Sequence, residues 1–370
     1  MKFVCHGARL YGIIGAMSQS ALYNKIIDYL TELIERNCDK RDYKLPSERS
    51  LSLKFNSSRK PVRHAYRDLI ERGHVKSVHG KGYFTGDGLK TKPVLTPKNI
   101  CFIAEYLETD FLKRIRKGIQ DFCEKQMLNL LITVSEGNIK KEKSYLQSLQ
   151  FSNAKGVIIY PTDNEFCNDE LLRLSLGRFP ITVIDRHFKD INLAYVATDH
   201  YKAANDAVRF LHKKKHKNIV YFTASTNSST SVEERILGYK HGLIQYYGTD
   251  KNSVLQFNPN DPSAQKTALI NYLQIFPDTE VIIVTGIYAY VVIDAAAELK
   301  IPIPEKLKLM LFDNEMSKTE TAAFRPYIIE QDAYGIGYEA AATLYNQIYG
   351  DLRIVSRKLP AKIIDYSCKT

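Results

Sequence analysis

Three things are missing from this 370-residue chain, and each absence removes a class of protein. No window holds the roughly 18 consecutive apolar residues that a membrane-spanning helix requires, so a soluble protein without membrane partners is expected. The six cysteines (Cys5, Cys38, Cys101, Cys123, Cys167 and Cys368) show neither Cys-x-x-Cys nor Cys/His ligand spacing. That excludes the common zinc modules, and a chain this long has no need of a disulfide framework, so no metal site and a reducing, cytoplasmic setting are expected. Finally, the signatures GxSxG, HExxH and GxxxxGK[ST] are absent, and His187, His200 and His241 supply no nucleophile-base spacing. "GKGYFTGDG" lacks the strand-to-helix setting of a phosphate cradle. The chain reads as a non-enzyme without a cofactor.

What is present is charge, unevenly spread. The first 92 residues hold 18 Lys and Arg against 9 Asp and Glu, a net of +9, which leaves +2 of the total +11 for the rest. A compact basic segment on a near-neutral body points to nucleic acid as the partner of the first part alone. Length favours two or three domains. Residues 1–16 offer no continuous apolar stretch of the kind a signal peptide needs, because charge and glycine interrupt it. They are expected to be a disordered extension, with the folded N-terminal domain spanning 17–85.

Within that domain Leu22, Ile26, Ile27, Leu30, Leu33 and Ile34 recur at helical spacing. In "LPSERSLSLKF" Ser47 is placed to cap a short helix with Leu51 and Phe55 facing inward. After the turn "NSS", Ser58 is placed to cap a second helix whose Pro61 falls in the first turn, where a missing N–H costs nothing. That helix should bury Val62, Ala65, Tyr66, Leu69 and Ile70 and end at Gly73. Two short strands, 75–78 and 83–85, joined through His79, Gly80 and Lys81, complete a winged helix-turn-helix. In such a module the start of the second helix enters the major groove and the wing tip reaches phosphates or the minor groove. Arg59, Lys60 and Arg63 lie in that entering turn and Arg49 begins the preceding helix; a guanidinium there can read guanine bidentately. The plain alternative is a solvated basic face on a small helical domain.

Residues 22–85 resemble the GntR-family DNA-binding domain through "LPSERSLSLKFNSSRKPVRHAYRDLIERGHVKSVHGKGYF". The resemblance implies DNA contact by Arg49, Ser58, Arg59, Arg63, His79, Gly80 and Lys81. Pro61 stands where the family usually has Thr, which removes one hydroxyl contact.

"GDGLKTKPVLTPK", residues 86–98, reads as a linker. From 99 to 370 apolar runs of strand length, "NICFIA", "NLLITV", "GVIIY", "ITVID", "NIVYF", "VIIVT" and "LKLMLF", alternate with amphipathic helices such as "DFLKRIRKGIQDFCEKQ". That alternation specifies an α/β fold with parallel sheets, and this length suits two lobes. Ligands in such folds bind beyond the carboxyl ends of the strands, which singles out Asp185-Arg186, Thr285 and Asp313-Asn314. Carboxylates and arginine forks facing one cleft suit a polyhydroxylated ligand; helix caps or surface ion pairs are the plain alternative.

Residues 99–365 resemble the LacI/GalR effector domain, itself similar to periplasmic sugar-binding proteins. The resemblance is carried by "VIDRHFKDINLAYVATDHYKAANDAVRFLHKKKHKNIVYF", "SSTSVEERILGYKHGL", "IPIPEKLKLMLFDN" and "PYIIEQDAYGIGYEAA". It implies effector contact by Asp185, Arg235, Asp313 and Gln331, with Arg186 and Phe111 lining the cleft. Thr285-Gly286 replaces the usual Asn-Asp, and Lys215 replaces the usual glycine before His216. Chain crossings between lobes are expected near Ala197, at 328–331 and at 356–359.

A GntR-type reader joined to a LacI-type sensor resembles the arabinose-repressor subgroup of bacterial regulators. The joint expectation is a homodimer on palindromic operator DNA, released by a sugar such as arabinose. The other reading is an architectural DNA-binding protein whose C-terminal domain only dimerises. A fused aminotransferase would need a longer chain.

Overall fold

The computed structural model describes residues 23, 26–34, 36–37, 40, 42–71, 73–86, 98–149, 151–162, 168–189, 191–225, 229–249, 254–259, 261–349 and 353–367. The extension at 1–16 and all but the two ends of the 86–98 linker lie outside them. The chain divides into two compact units, Met1–Pro97 with Tyr345–Leu352, and Lys98–Leu344 with Arg353–Thr370.

In the first unit α1 (helical over 26–34), α2 (Glu48–Lys54) and α3 (Arg59–Glu71) enclose a core of Ile26, Leu30, Ile34, Leu51, Val62, Ala65, Tyr66 and Leu69. Ser47 caps α2 by accepting from the Ser50 amide, and α3 begins directly after Ser58. Ile70, expected inside, is 37% exposed: it lies one position past Leu69, where the helix has already turned that face toward solvent. Strands β1 (Val75–Val78) and β2 (Gly82–Thr85) pair antiparallel. The segment before α2 adds a third arm to this wing, since Leu45 N donates to Tyr83 O and Thr85 N to Tyr43 O.

The second unit has two lobes. In the first, β3 (Asn99–Ala104), β4 (Asn129–Val134), β5 (Ala154–Ile159), β6 (Ile181–Ile184) and β7 (Ala194–Thr198) alternate with α4 (Asp110–Lys125), α5 (Ile139–Ser148) and α6 (Asp169–Leu176). The second lobe runs α7 (His200–Lys213), β8 (Ile219–Ala224), α8 (Thr230–Tyr247), β9 (Val254–Phe257), α9 (Pro262–Ile275), β10 (Val281–Thr285), α10 (Ala289–Glu298), β11 (Lys308–Phe312), α11 (Lys318–Phe324) and β12 (Tyr327–Glu330). Then α12 (Ala333–Ile348) returns to the first lobe, β13 (Ser356–Leu359) joins its sheet and β14 (Lys362–Asp365) joins the second. The sheet orders are β13-β7-β6-β5-β3-β4 and β14-β12-β11-β10-β8-β9. Gly337 of α12 and Gly118 of α4 let these helices touch backbone to backbone: a Cβ on Gly337 would stand 2.0 Å from Ile115 O.

The chain crosses between lobes three times, after β7, after β12 and between β13 and β14. The last crossing is at Pro360-Ala361, just beyond the expected 356–359. One departure from the parallel expectation follows from it. Both sheets point their strand ends at the cleft, so a strand that leaves one lobe and continues straight into the other must run against its neighbours. β14 accordingly pairs antiparallel with β12. Lys215, in the place expected to affect local backbone geometry, adopts φ +67, the left-handed conformation that glycine enters at least cost.

Candidate functional site

Each residue singled out for DNA contact is exposed: Arg49 on α2, Ser58 before α3, Arg59, Lys60 and Arg63 at its start, and His79, Gly80 and Lys81 on the β1–β2 turn. Glu48 draws these three pieces together. Its carboxylate accepts from Arg63 Nη2 at 3.1 Å and Nε at 3.4 Å, and from the Tyr83 hydroxyl at 2.7 Å. The Arg63 hydrogen bonds, against partial burial, hold the Glu48 carboxyl below its ordinary range. Tyr83 in turn stacks on Tyr66 of α3, with ring centroids 3.8 Å apart. Helix α3 and the β1–β2 wing are therefore fixed to one another through a carboxylate that no motif singles out. The signal was its position, directly after the capping Ser47.

In the second unit a cavity of about 700 Å³ lies between the lobes. The first lobe lines it with Phe111, Asp185 and Arg186, the second with Arg235, Thr285, Asp313 and Gln331, so seven of the eight residues named from sequence converge there; Asn314 does not line it, its side chain donating to Thr321 Oγ1 and accepting from the Met316 amide. Asp185 and Asp313 occupy matching places, each just past a strand (β6, β11), each left-handed (φ +65 and +60), and each with its amide on the neighbouring strand. A short polar side chain tolerates that conformation and is turned by it toward the cleft.

Asp185 belongs to a buried relay. Arg235 Nε donates to His200 Nδ1 at 3.1 Å, which leaves the Nε2 hydrogen of a neutral imidazole facing the Asp185 carbonyl and Oδ1, both at 3.3 Å. Burial, then the Arg235 charge, lower the His200 pKa against the pull of Asp185. Burial pushes the Asp185 carboxyl up, but His200, Arg235 and Arg186 together outweigh it and hold the carboxyl below its ordinary value. Arg235 also lies over the Phe312 ring, its guanidinium carbon 4.3 Å from the centroid. His200 directly follows the first crossing, but its part in this relay depends on Arg235, 35 residues away, and no local spacing signals it.

Arg186 donates to the Tyr160 hydroxyl at 2.7 Å and to Glu105 at 3.3 Å. Burial pushes the Tyr160 hydroxyl up to about 12, so it stays protonated. Burial likewise raises the Asp313 carboxyl to about 6, even though it accepts both the backbone and the side-chain N–H of Gln331. Thr285 ends β10, and the glycine after it is obligatory: a Cβ on Gly286 would stand 2.4 Å from the Asp313 carbonyl oxygen. The carboxylate expected at that place is thus excluded by the close approach of the turn after β11.

Two parallel-sheet lobes closing on a polar cleft, together with a winged helix-turn-helix, define a ligand-binding regulator of transcription. Residues 100–352 match the periplasmic binding protein domain family and residues 22–85 the gntR family of bacterial regulatory proteins. The chain belongs to the periplasmic binding protein domain family, carried here with a gntR-type DNA-binding domain. It is 22% identical over 283 residues, 73% of this chain and 74% of the relative, to the arabinose metabolism transcriptional repressor of Halalkalibacterium halodurans. Its fold is similar to that of the transcription regulator CcpA of Lactococcus lactis, with TM-score 0.63 and 18% identity over 73% of this chain and 98% of that one. It is also similar to a periplasmic binding protein/LacI transcriptional regulator from Alkaliphilus metalliredigens complexed with D-xylulofuranose, with TM-score 0.61 and 20% identity over 72% and 97%. The protein is a DNA-binding transcription regulator and not an enzyme. Among the described residues no helix is long and apolar enough to cross a membrane.

Proposed function

We propose that this regulator represses carbohydrate-use genes in the cytoplasm and is released from operator DNA when arabinose or a related monosaccharide occupies the cleft. The observation that carries the reading is the convergence of Asp185, Arg186, Arg235, Asp313 and Gln331, from both lobes, on one cavity. Carboxylates and guanidinium forks are the groups that grip vicinal hydroxyls, and Phe111 offers an apolar face to a sugar's C–H side. Relatives named for arabinose metabolism and for the ribose operon support the same class of ligand.

A sugar held by both lobes favours their closed arrangement, and operator affinity falls by no more than the ligand's preference for that state. The regulator acts as a homodimer that sets two winged helices on a palindrome. The edge strand β4, with Leu131 37% and Ile132 38% exposed, supports pairing of copies through the sensor unit. Arg49, Ser58, Arg59, Lys60, Arg63, His79, Gly80 and Lys81 hold the DNA.

Thermal unfolding against a panel of pentoses and hexoses tests the reading. A cognate sugar at about 100 times its dissociation constant adds nearly 3 kcal/mol and raises the melting temperature visibly. A panel without a single shift would count against a sugar sensor.

A further inference from the structure

The first turn of α8 has two faces with different neighbours. Ser231, Val232 and Arg235 line the cleft. Thr230, Glu233 and Glu234 do not; three- and four-residue spacing sets them together on another side of the helix, and each is bonded to the first lobe.

Thr230 makes the tightest of these contacts. Its hydroxyl accepts from the His187 amide and donates to the His187 carbonyl, both at 3.0 Å, as the edge of a neighbouring strand would. Thr230 is 4% exposed, and His187 is anchored in the first lobe, its ring stacked on that of Tyr195 in β7 with centroids 4.7 Å apart. Beside it Glu233 pairs with Lys189 of the same loop as His187, and Glu234 with Lys358 of β13 at 2.7 Å. One helical turn thus meets the cleft on one side and the opposite lobe on the other.

Contacts that exist only while the lobes meet favour the closed arrangement whatever the ligand is. The apparent affinity of every ligand that needs this arrangement then scales with its population. In the open arrangement water takes the place of the Thr230 hydroxyl; closing without that hydroxyl would leave the His187 amide and carbonyl screened from water and unpaired.

We infer that the first turn of α8 is a closing latch, made by the Thr230 hydroxyl and supported by Glu233 and Glu234, that sets how much effector is needed to release operator without touching the effector. This inference rests on the effector reading above and adds the residues that tune its sensitivity. Thr230 is a positioning residue: it acts on the lobes, and through them on every ligand alike.

A separate contact between the lobes supplies a reporter. The Asp110 amide begins α4, where no partner exists within the helix, and donates to Glu315 after β11 at 3.1 Å. It shares no residue with the latch, so its exchange with deuterium follows the opening of the lobes and not the local loss of the Thr230 hydroxyl.

The test uses the full chain with Thr230→Val, which keeps the shape and removes the hydroxyl, and Thr230→Ser, which keeps the hydroxyl; operator binding proves that each folds. In Thr230→Val the Asp110 amide should exchange about 10-fold faster than in the parent protein, and in Thr230→Ser at the parent rate. Unchanged exchange in Thr230→Val, or equal acceleration in both variants, overturns the latch. Calorimetric titration with L-arabinose, D-ribose and D-glucose is the second arm. Every sugar that binds the parent should bind Thr230→Val about 10-fold more weakly, with the order among sugars kept and release of operator still complete at saturation. Unchanged affinity, or weakening of one sugar alone, overturns the inference, the latter because Thr230 would then be a ligand contact. If no sugar binds the parent, the effector reading fails and the exchange arm still decides the latch. Should Thr230→Val not bind operator, Glu234→Gln, which weakens the bond to Lys358 with little change of shape, should speed Asp110 exchange about 3-fold, and unchanged exchange there counts against the latch.

Discussion

Arg63→Ala is expected to lose operator DNA while the protein keeps its fold. Arg63 is two-thirds exposed at the start of α3, and its guanidinium is held edge-on by Glu48 rather than buried in a core. An exposed ion pair contributes little to stability, so the melting temperature should barely move. A guanidinium that reads a guanine edge contributes far more to binding, and specific affinity should fall roughly 10- to 100-fold. Non-specific affinity, which we assign to Arg59, Lys60 and Lys81 on phosphates, should fall much less. Footprinting and a competition titration against unrelated DNA separate the two. A normal footprint from Arg63→Ala would remove α3 from the major groove.

The second large effect belongs to the cleft. Asp185→Asn and Arg235→Ala should bind operator nearly as well as the parent protein and fail to let go when sugar is added. Arg235→Ala removes the donor to His200 Nδ1 and uncovers Phe312, so the relay to Asp185 collapses as well. Truncating one partner of a buried, hydrogen-bonded charged set costs about 2 to 5 kcal/mol of ligand affinity, roughly 30-fold or more. Asp185→Asn keeps the volume and the backbone, which separates loss of the carboxylate from loss of the fold. The same experiment divides the two readings left open by sequence. Variants that bind DNA normally and are still released by sugar would overturn the assignment of Asp185 and Arg235 as the effector site, whereas a parent protein that no sugar releases would leave the C-terminal unit as a dimerising body alone.

The sequence was legible where burial is on both faces of a strand. The apolar runs that became β3, β5, β6, β8, β10 and β11 stand out because central parallel strands carry no polar alternation, while "NLLITV", which became β4, stands out by composition although it is a mostly exposed edge strand. β7, β9, β12, β13 and β14 are not among the runs legible in sequence: elements such as Ser356–Leu359, mostly exposed at a sheet edge, have no apolar period to betray them, while β7 and β12 are buried but short. The cleft residues were legible for a topological reason: strand ends in both lobes must face one another, so Asp185, Thr285 and Asp313 had to meet. Their electrostatics were not. That His200 is neutral and shared between Arg235 and Asp185, that Asp313 is raised by burial, and that Glu48 ties the wing to α3 all depend on distances between segments far apart in the chain. Gly286 is instructive in the same way. Sequence showed a missing carboxylate, whereas the structure shows that the Asp313 backbone leaves no room for one.

The most direct test of the account is an operator titration of the unmodified full-length protein with and without a saturating concentration of the sugar that shifts its melting temperature. The account predicts that the apparent dissociation constant for operator rises about 5- to 150-fold, the usual span of coupling between two sites. An operator affinity that is the same with and without the bound sugar would contradict it.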